Sequence, residues 1–124
     1  KRINLFADAT EDHQWIHVDE ERAKNELPSQ STIAHGFLSL SLSVPLAAQV
    51  WTVTGAKMLI NYGLNKVRFI NMVPVNSKVR MSVKVKEVNE LDNGGTQVIS
   101  EETLEIEGQE KPAYVAELIM VAYK

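Results

Sequence analysis

The chain has no cysteine among its 124 residues, so disulfides, thiol nucleophiles and cysteine-ligated metals are all excluded. That composition fits a cytosolic protein. It has no surplus of positive charge: 13 Lys and Arg against 16 Asp and Glu leave a net charge of −3, which argues against a general nucleic-acid binder. No apolar run approaches the roughly 18 residues of a membrane span, and no signal peptide is visible. Nor is there an internal repeat or a low-complexity stretch. What remains is ordinary globular composition at the length of one domain, 1–124, long enough to bury roughly two-thirds of its unfolded surface. The chain opens mid-pattern at Lys1 rather than with Met, which suggests residues upstream, a strand among them.

The half before Lys57 reads as helix and loop. Ile3, Phe6 and Ala7 share a helical face, so residues 2–9 form a short amphipathic helix. Thr10 to His17 is polar apart from Trp15 and Ile16 and reads as a loop. Asp19 is a good N-cap, with Glu20 and Glu21 at the positive end of the helix dipole, and that helix must stop before Pro28. Gly36 to Val53 is the most apolar segment. Leu38, Leu40, Leu42 and Val44 alternate as a strand would. The segment is too long for a strand, however, and Ala47 and Ala48 favour helix. Pro45 would break a central strand but only kink a helix, freeing the Ser41 carbonyl. Helix is therefore expected over 36–53.

From Lys57 on the pattern is that of strands. Met58–Tyr62 and Leu64–Ile70 flank Gly63, a bend or bulge. Lys78 to Val88 alternates, with Val79, Met81, Val83 and Val85 on one face and Lys78, Arg80, Lys84 and Lys86 on the other. Asp92-Asn93-Gly94-Gly95 is a hairpin turn. Gln97–Glu107 follows, and Ala113–Tyr123 is nearly all apolar. An antiparallel sheet must have its apolar face covered, and 36–53 is the only long apolar helix available to cover it. The expected architecture is α+β, a sheet wrapped around a central helix.

Two stretches carry the chemistry. Phe6-Ala7-Asp8-Ala9-Thr10-Glu11-Asp12 leads through Trp15-Ile16 to His17-Val18-Asp19, and Ile33-Ala34-His35-Gly36 follows. Together they resemble the hydratase-2 motif of MaoC-like (R)-specific enoyl-CoA hydratases. Trp15-Ile16-His17-Val18-Asp19 and Ile60-Asn61-Tyr62-Gly63-Leu64-Asn65-Lys66-Val67-Arg68-Phe69 resemble the branch of nodulation-protein-N-like proteins. The similarity runs along almost the whole chain. It implies a hot-dog fold, usually paired into a homodimer, and supports the helical reading of 36–53. It places Asp12 and His17 in the catalytic carboxylate and imidazole positions. Gly36 takes the position whose N–H faces the thioester oxygen. Two departures stand out. The usual Gly-Asp-x-Asn-Pro-x-His reads here Glu11-Asp12-His13-Gln14-Trp15-Ile16-His17, and a serine found in some members is replaced by Val44, with Ser43 adjacent.

The implied reaction is the reversible addition of water to a trans-2-enoyl-CoA, giving a (3R)-3-hydroxyacyl-CoA. It needs water at C3, a proton at C2 and a donor for the enolate oxygen. A carboxylate and an imidazole on one water supply the first two, and a free N–H at a helix start supplies the third. No metal or other cofactor is implied; coenzyme A enters only as part of the substrate. His13 reads as exposed and incidental, and His35 as shaping its loop. Trp15 is a candidate for the acyl path, and Asn61, Tyr62, Gly63, Lys66 and Arg68 for substrate contact. The row Lys78, Arg80, Lys84 and Lys86 reads as a solvated face pairing with Glu101, Glu105 and Glu107. A hot-dog thioesterase and a non-catalytic acyl-CoA or partner-binding module are the rival readings.

Overall fold

A computed structural model describes residues 1–124. Three helices open the chain: α1 (Arg2–Thr10), α2 (Trp15–Val18) and α3 (Glu20–Glu26). The Asp19 carboxylate accepts from the Arg22 N–H at 3.0 Å and caps α3, as its position before two glutamates predicts. α2 overlaps the end of the expected loop, Thr10 to His17. It is a single turn, and four residues with two aromatic rings give no helical period to read.

The segment expected as one helix over 36–53 is two shorter ones, α4 (Gly36–Ser41) and α5 (Ser43–Ala47), followed by turns. The break lies where Pro45 has no N–H for the Ser41 carbonyl. At Leu42 the backbone N–H is shared between the Leu38 and Ser39 carbonyls, tightening the turn. The helical reading holds in kind, but its length and continuity do not.

Four antiparallel strands complete the chain: β1 (Met58–Phe69), β2 (Val79–Glu90), β3 (Thr96–Ile106) and β4 (Tyr114–Tyr123), in the sheet order β1-β4-β3-β2. The register of β1 against β4 slips between Asn61 and Gly63, so the strand bulges at the glycine instead of ending there. A second slip, between Val85 and Glu87, interrupts the alternation of β2. The turn from β2 to β3 rests on Gly94 at φ 86 and on the Asn93 side chain, which accepts from the Gly95 N–H. Leu104, Ile106, Ala113, Tyr114 and Ala116 form the core, and Leu40 and Leu46 of α4 and α5 press on it from above. On the other face Arg80 pairs with Glu105 at 2.7 Å and Lys86 with Glu117 at 3.1 Å. These exposed pairs are worth little.

One departure from the alternation bears on stability. On β3 the inward positions are Val98, Ser100, Glu102, Leu104 and Ile106, all buried. A glutamate thus lies on the apolar face of the sheet.

Candidate active site

The short segment Thr32–Gly36 is fastened on both sides. The Ile33 N–H donates to the Ile16 carbonyl at 3.0 Å, and the Ala34 N–H donates to the Val73 carbonyl at 2.8 Å. A lone bridge joins Ile33 to Pro74. The loop before α2 and the start of α4 are therefore held side by side, although about twenty residues separate them in sequence. This brings Asp12, His17 and His35 together: one side-chain oxygen or nitrogen of each lies within 4.8 Å of the others.

His17 is buried, and its Nδ1 lies 2.7 Å from the Ile33 carbonyl. A carbonyl can only accept, so Nδ1 carries the hydrogen and the neutral ring keeps its lone pair on Nε2. Burial is the main force holding the His17 pKa below the usual histidine range; nearby His35 adds to it, while the Ile33 carbonyl and Asp12 oppose it. At neutral pH the ring is an uncharged base. The Asp12 carboxylate is exposed, and one of its oxygens accepts from the Gln14 N–H at 3.3 Å, an Asx turn that fixes the loop.

His35 is 2 % exposed and lies against His17, ring centroids 3.8 Å apart and planes 21° apart. Its Nε2–H donates to the Asp12 carbonyl at 3.0 Å, and its Nδ1 is buried without a partner. Its other side meets Phe6 of α1 at 4.8 Å. Three sequence-distant parts of the site thus converge on this side chain. Local rules offered no signal for that beyond its place before Gly36.

Gly36 opens α4, where an N–H has no acceptor within the helix. It lines a cleft of about 420 Å³ together with Ile16, His17, Ser39, Phe69 and Val73. A Cβ on Gly36 would stand 3.2 Å from the Phe69 ring, so the glycine keeps this end of the cleft open. The arrangement can polarise one water between a carboxylate and an imidazole, and can donate an N–H to an oxygen in the same cleft. It suits a metal poorly. An ion bound by both stacked rings would lie well out of at least one ring plane.

The remaining candidates lie elsewhere. Trp15 packs under the Arg22 guanidinium, 4.0 Å above its ring, and its neighbour Ile16 lines the cleft instead. Asn61 lines a different cavity, beneath α5. Tyr62 is 70 % exposed, and open space surrounds the Gly63 position. Lys66 is exposed on β1, and Arg68 donates to the carbonyl of its own neighbour, Val67. His13 is exposed and pairs with Asp8 at 3.0 Å.

Comparison with known proteins bears on this geometry. A family model described as the MaoC like domain matches residues 1–106. The chain is similar to the 3-hydroxyacyl-thioester dehydratase Z of Mycobacterium tuberculosis strain H37Rv, 54% identical over 120 residues that cover 97% of this chain and 79% of that protein. It is 43% identical over 122 residues to nodulation protein N of Rhizobium leguminosarum bv. viciae, covering 96% of this chain and 74% of that one. Among solved structures, the unliganded R-hydratase PhaJ1 from Pseudomonas aeruginosa superposes with a TM-score of 0.73, covering 99% of this chain and 73% of that one. At 23% identity, that likeness speaks for the fold alone.

Proposed function

The chain belongs to the MaoC like domain family and has its hot-dog fold, and from that premise we propose that it is an (R)-specific enoyl-CoA hydratase. Coarsely, it is a dehydratase-type lyase, as its 54% identity to a 3-hydroxyacyl-thioester dehydratase and its family imply. The finer reading is that it adds water reversibly to a trans-2-enoyl-CoA to give a (3R)-3-hydroxyacyl-CoA. The observation that carries it is the meeting of Asp12 and His17 within 4.8 Å, with Gly36 on the same cleft as His17.

The tautomer of His17 gives the hydration its direction. Water lies between the Asp12 carboxylate and Nε2 of His17. Nε2 takes one proton as the oxygen attacks C3, and the carboxylate accepts the hydrogen that stays on the water. The π pair of C2=C3 moves into the C1–C2 bond and the carbonyl pair moves onto the thioester oxygen, which the Gly36 N–H holds as an enolate. Collapse of the enolate takes the proton from His17 to C2, so one water is added and the ring returns to neutral. Positioned acid–base groups contribute about 10²–10⁴-fold, and one donor to the oxyanion adds roughly 3 kcal/mol in favourable cases. Dehydration is the same path reversed.

The homodimer belongs to this reading too. β1 is an edge strand, and Met58, Leu59, Ile60, Tyr62 and Leu64 along it are all at least 40% exposed. An apolar, unpaired edge of this kind calls for a cover, and a second copy of the chain supplies one. The cytosol is the compartment this reading implies.

The test is incubation with crotonyl-CoA, following enoyl absorbance and free thiol together. Hydration removes the absorbance without releasing thiol. Thiol release would make the protein a thioesterase, and no change in either would make it a binding module.

A further inference from the structure

Three serines lie on α4 and α5, and their surroundings differ. Ser41 is exposed and returns its hydroxyl to the Phe37 carbonyl at 2.7 Å. Ser43 is buried and lines the separate cavity beneath α5. Ser39 is 4% exposed and lines the cleft that holds His17 and Gly36. Its backbone N–H donates to the His35 carbonyl at 3.1 Å, but its hydroxyl makes no bond of the kind Ser41 makes. Nor is that hydroxyl among the fully enclosed polar atoms that lack a partner, so it opens onto the cleft.

The cleft wall around Ser39 is mostly apolar, with Ile16, Phe69, Ile70, Met72 and Val73 on it. A hydroxyl in such surroundings is costly unless a group in the cleft answers it. Its direction follows from the helix. Residues three apart share a face, and side chains lean toward the helix N-terminus. The Ser39 side chain therefore reaches back over the turn that Gly36 opens, and Gly36 has no Cβ to stand in its way. The Gly36 N–H and the Ser39 hydroxyl thus serve the same part of the cleft.

We propose that the Ser39 hydroxyl is a second donor to the thioester oxygen, acting beside the Gly36 N–H as the enolate forms; the proposal rests on the thioester reading of the cleft. A ground-state carbonyl carries a partial charge and gains little from a second donor. The enolate oxygen carries far more and takes both. The bond therefore strengthens as water adds to C3, and the gain falls on rate rather than on substrate binding. Against an apolar wall it is worth more than in water. Ser39 keeps its hydrogen throughout, and the proton transfers stay with Asp12 and His17.

Two measurements test this. In the crotonyl-CoA assay, Ser39→Ala should lower kcat by about 10²-fold with KM little changed, as the loss of one oxyanion donor does. The acid limb of its pH–rate profile should stay in place, because His17 is untouched. The change removes a single oxygen and alanine favours helix, so the variant should fold. A rate near that of the unaltered protein overturns the proposal. A displaced limb overturns it too, since Ser39 would then act through His17.

The second measurement needs no turnover. Acetoacetyl-CoA has no C2–C3 double bond to hydrate, and it ionises to an enolate with its own ultraviolet band. Bound to the unaltered protein it should ionise at lower pH than in free solution, and Ser39→Ala should raise that pH by about one unit or more. An unaltered protein that leaves the ionisation where it is in solution overturns the proposal, whether or not the variant folds. Failure of the reaction reads differently. Hydration of crotonyl-CoA that Ser39→Ala does not slow refutes the role of Ser39 alone. An enolate shift that Ser39→Ala removes, in a protein that leaves crotonyl-CoA unchanged, upholds that role and refutes the reaction.

Discussion

The ring of His35 is stacked on the ring of His17, centroids 3.8 Å apart, while its Nε2–H holds the backbone carbonyl of Asp12. Both proposed catalytic side chains therefore lean on a third residue that touches each of them differently. Replacing His35 by Phe keeps a flat ring against His17 but loses the bond to the Asp12 loop. The expected result is a fall in kcat of about tenfold with KM little changed, since misplacing a reacting group costs rate more than binding. Replacing it by Ala also opens the packing around His17 and removes a neighbour that helps hold the His17 pKa down, so the acid limb of the pH–rate profile should move to higher pH. A purely structural role would lower stability and leave that limb in place.

Asp12→Asn and His17→Gln should each lower kcat by at least about 10²-fold, with the far-ultraviolet circular dichroism unchanged. Near-normal rates in both would remove the pair from the mechanism.

The pH dependence of the unaltered protein follows from His17. Its pKa is lowered, chiefly by burial, so the base form persists below the usual histidine range. Hydration kcat/KM should be flat on the acid side of neutrality and fall only below about pH 6.5, the ordinary histidine value. A profile already falling between pH 8 and pH 7, roughly speaking, would contradict a neutral His17 as base.

Gly36→Ala puts a methyl 3.2 Å from the Phe69 ring, closer than a comfortable contact. The protein should fold, because α4 accepts alanine readily. Its kcat/KM should drop by about tenfold as the ring or the helix start gives way and the N–H moves. Adding Phe69→Leu should restore part of the loss, measured on crotonyl-CoA.

Glu102 makes stability depend on pH. Burial raises its pKa from 4.5 to about 7, and a hydrogen bond from the Tyr114 hydroxyl opposes the rise. Between those two values the folded state holds a proton that the unfolded chain has already released. The contribution is therefore whole below the lower value and is lost as pH rises through the upper one, up to about 3 kcal/mol in all. Denaturant midpoints should fall between about pH 5 and pH 8, and Glu102→Gln should flatten that slope.

How much of this was legible beforehand depended on whether a local rule applied. The four strands follow from alternation and turn chemistry, which act over neighbours, and the bulge at Gly63 follows from a missing side chain. The helical nature of α4 and α5 was legible because Pro45 and the alanines outweigh a period-two pattern. Pro45 marked where a kink would fall, through the freed Ser41 carbonyl, but not that it would end one helix and begin another, nor that turns would replace helix after Ala47. Asp12, His17 and Gly36 could be singled out by motif, whereas the backbone ties at Ile33 that draw them together are not written in any side chain. Glu102 escaped notice because a carboxylate on an apolar strand face looks like noise in the alternation. Trp15 is a different case: its aromatic character suggested the acyl path, and Arg22, seven residues on, covers it instead.

The outer edge of β1 has no neighbouring strand in this chain's sheet. On the homodimer reading, a row of amides and apolar side chains that find their partners on a second copy ties folding to mass action. Melting temperature should then climb with protein concentration, and dilution should cost both order and turnover. A newly made chain would complete its structure on meeting another, so abundance itself would become part of what keeps this protein folded.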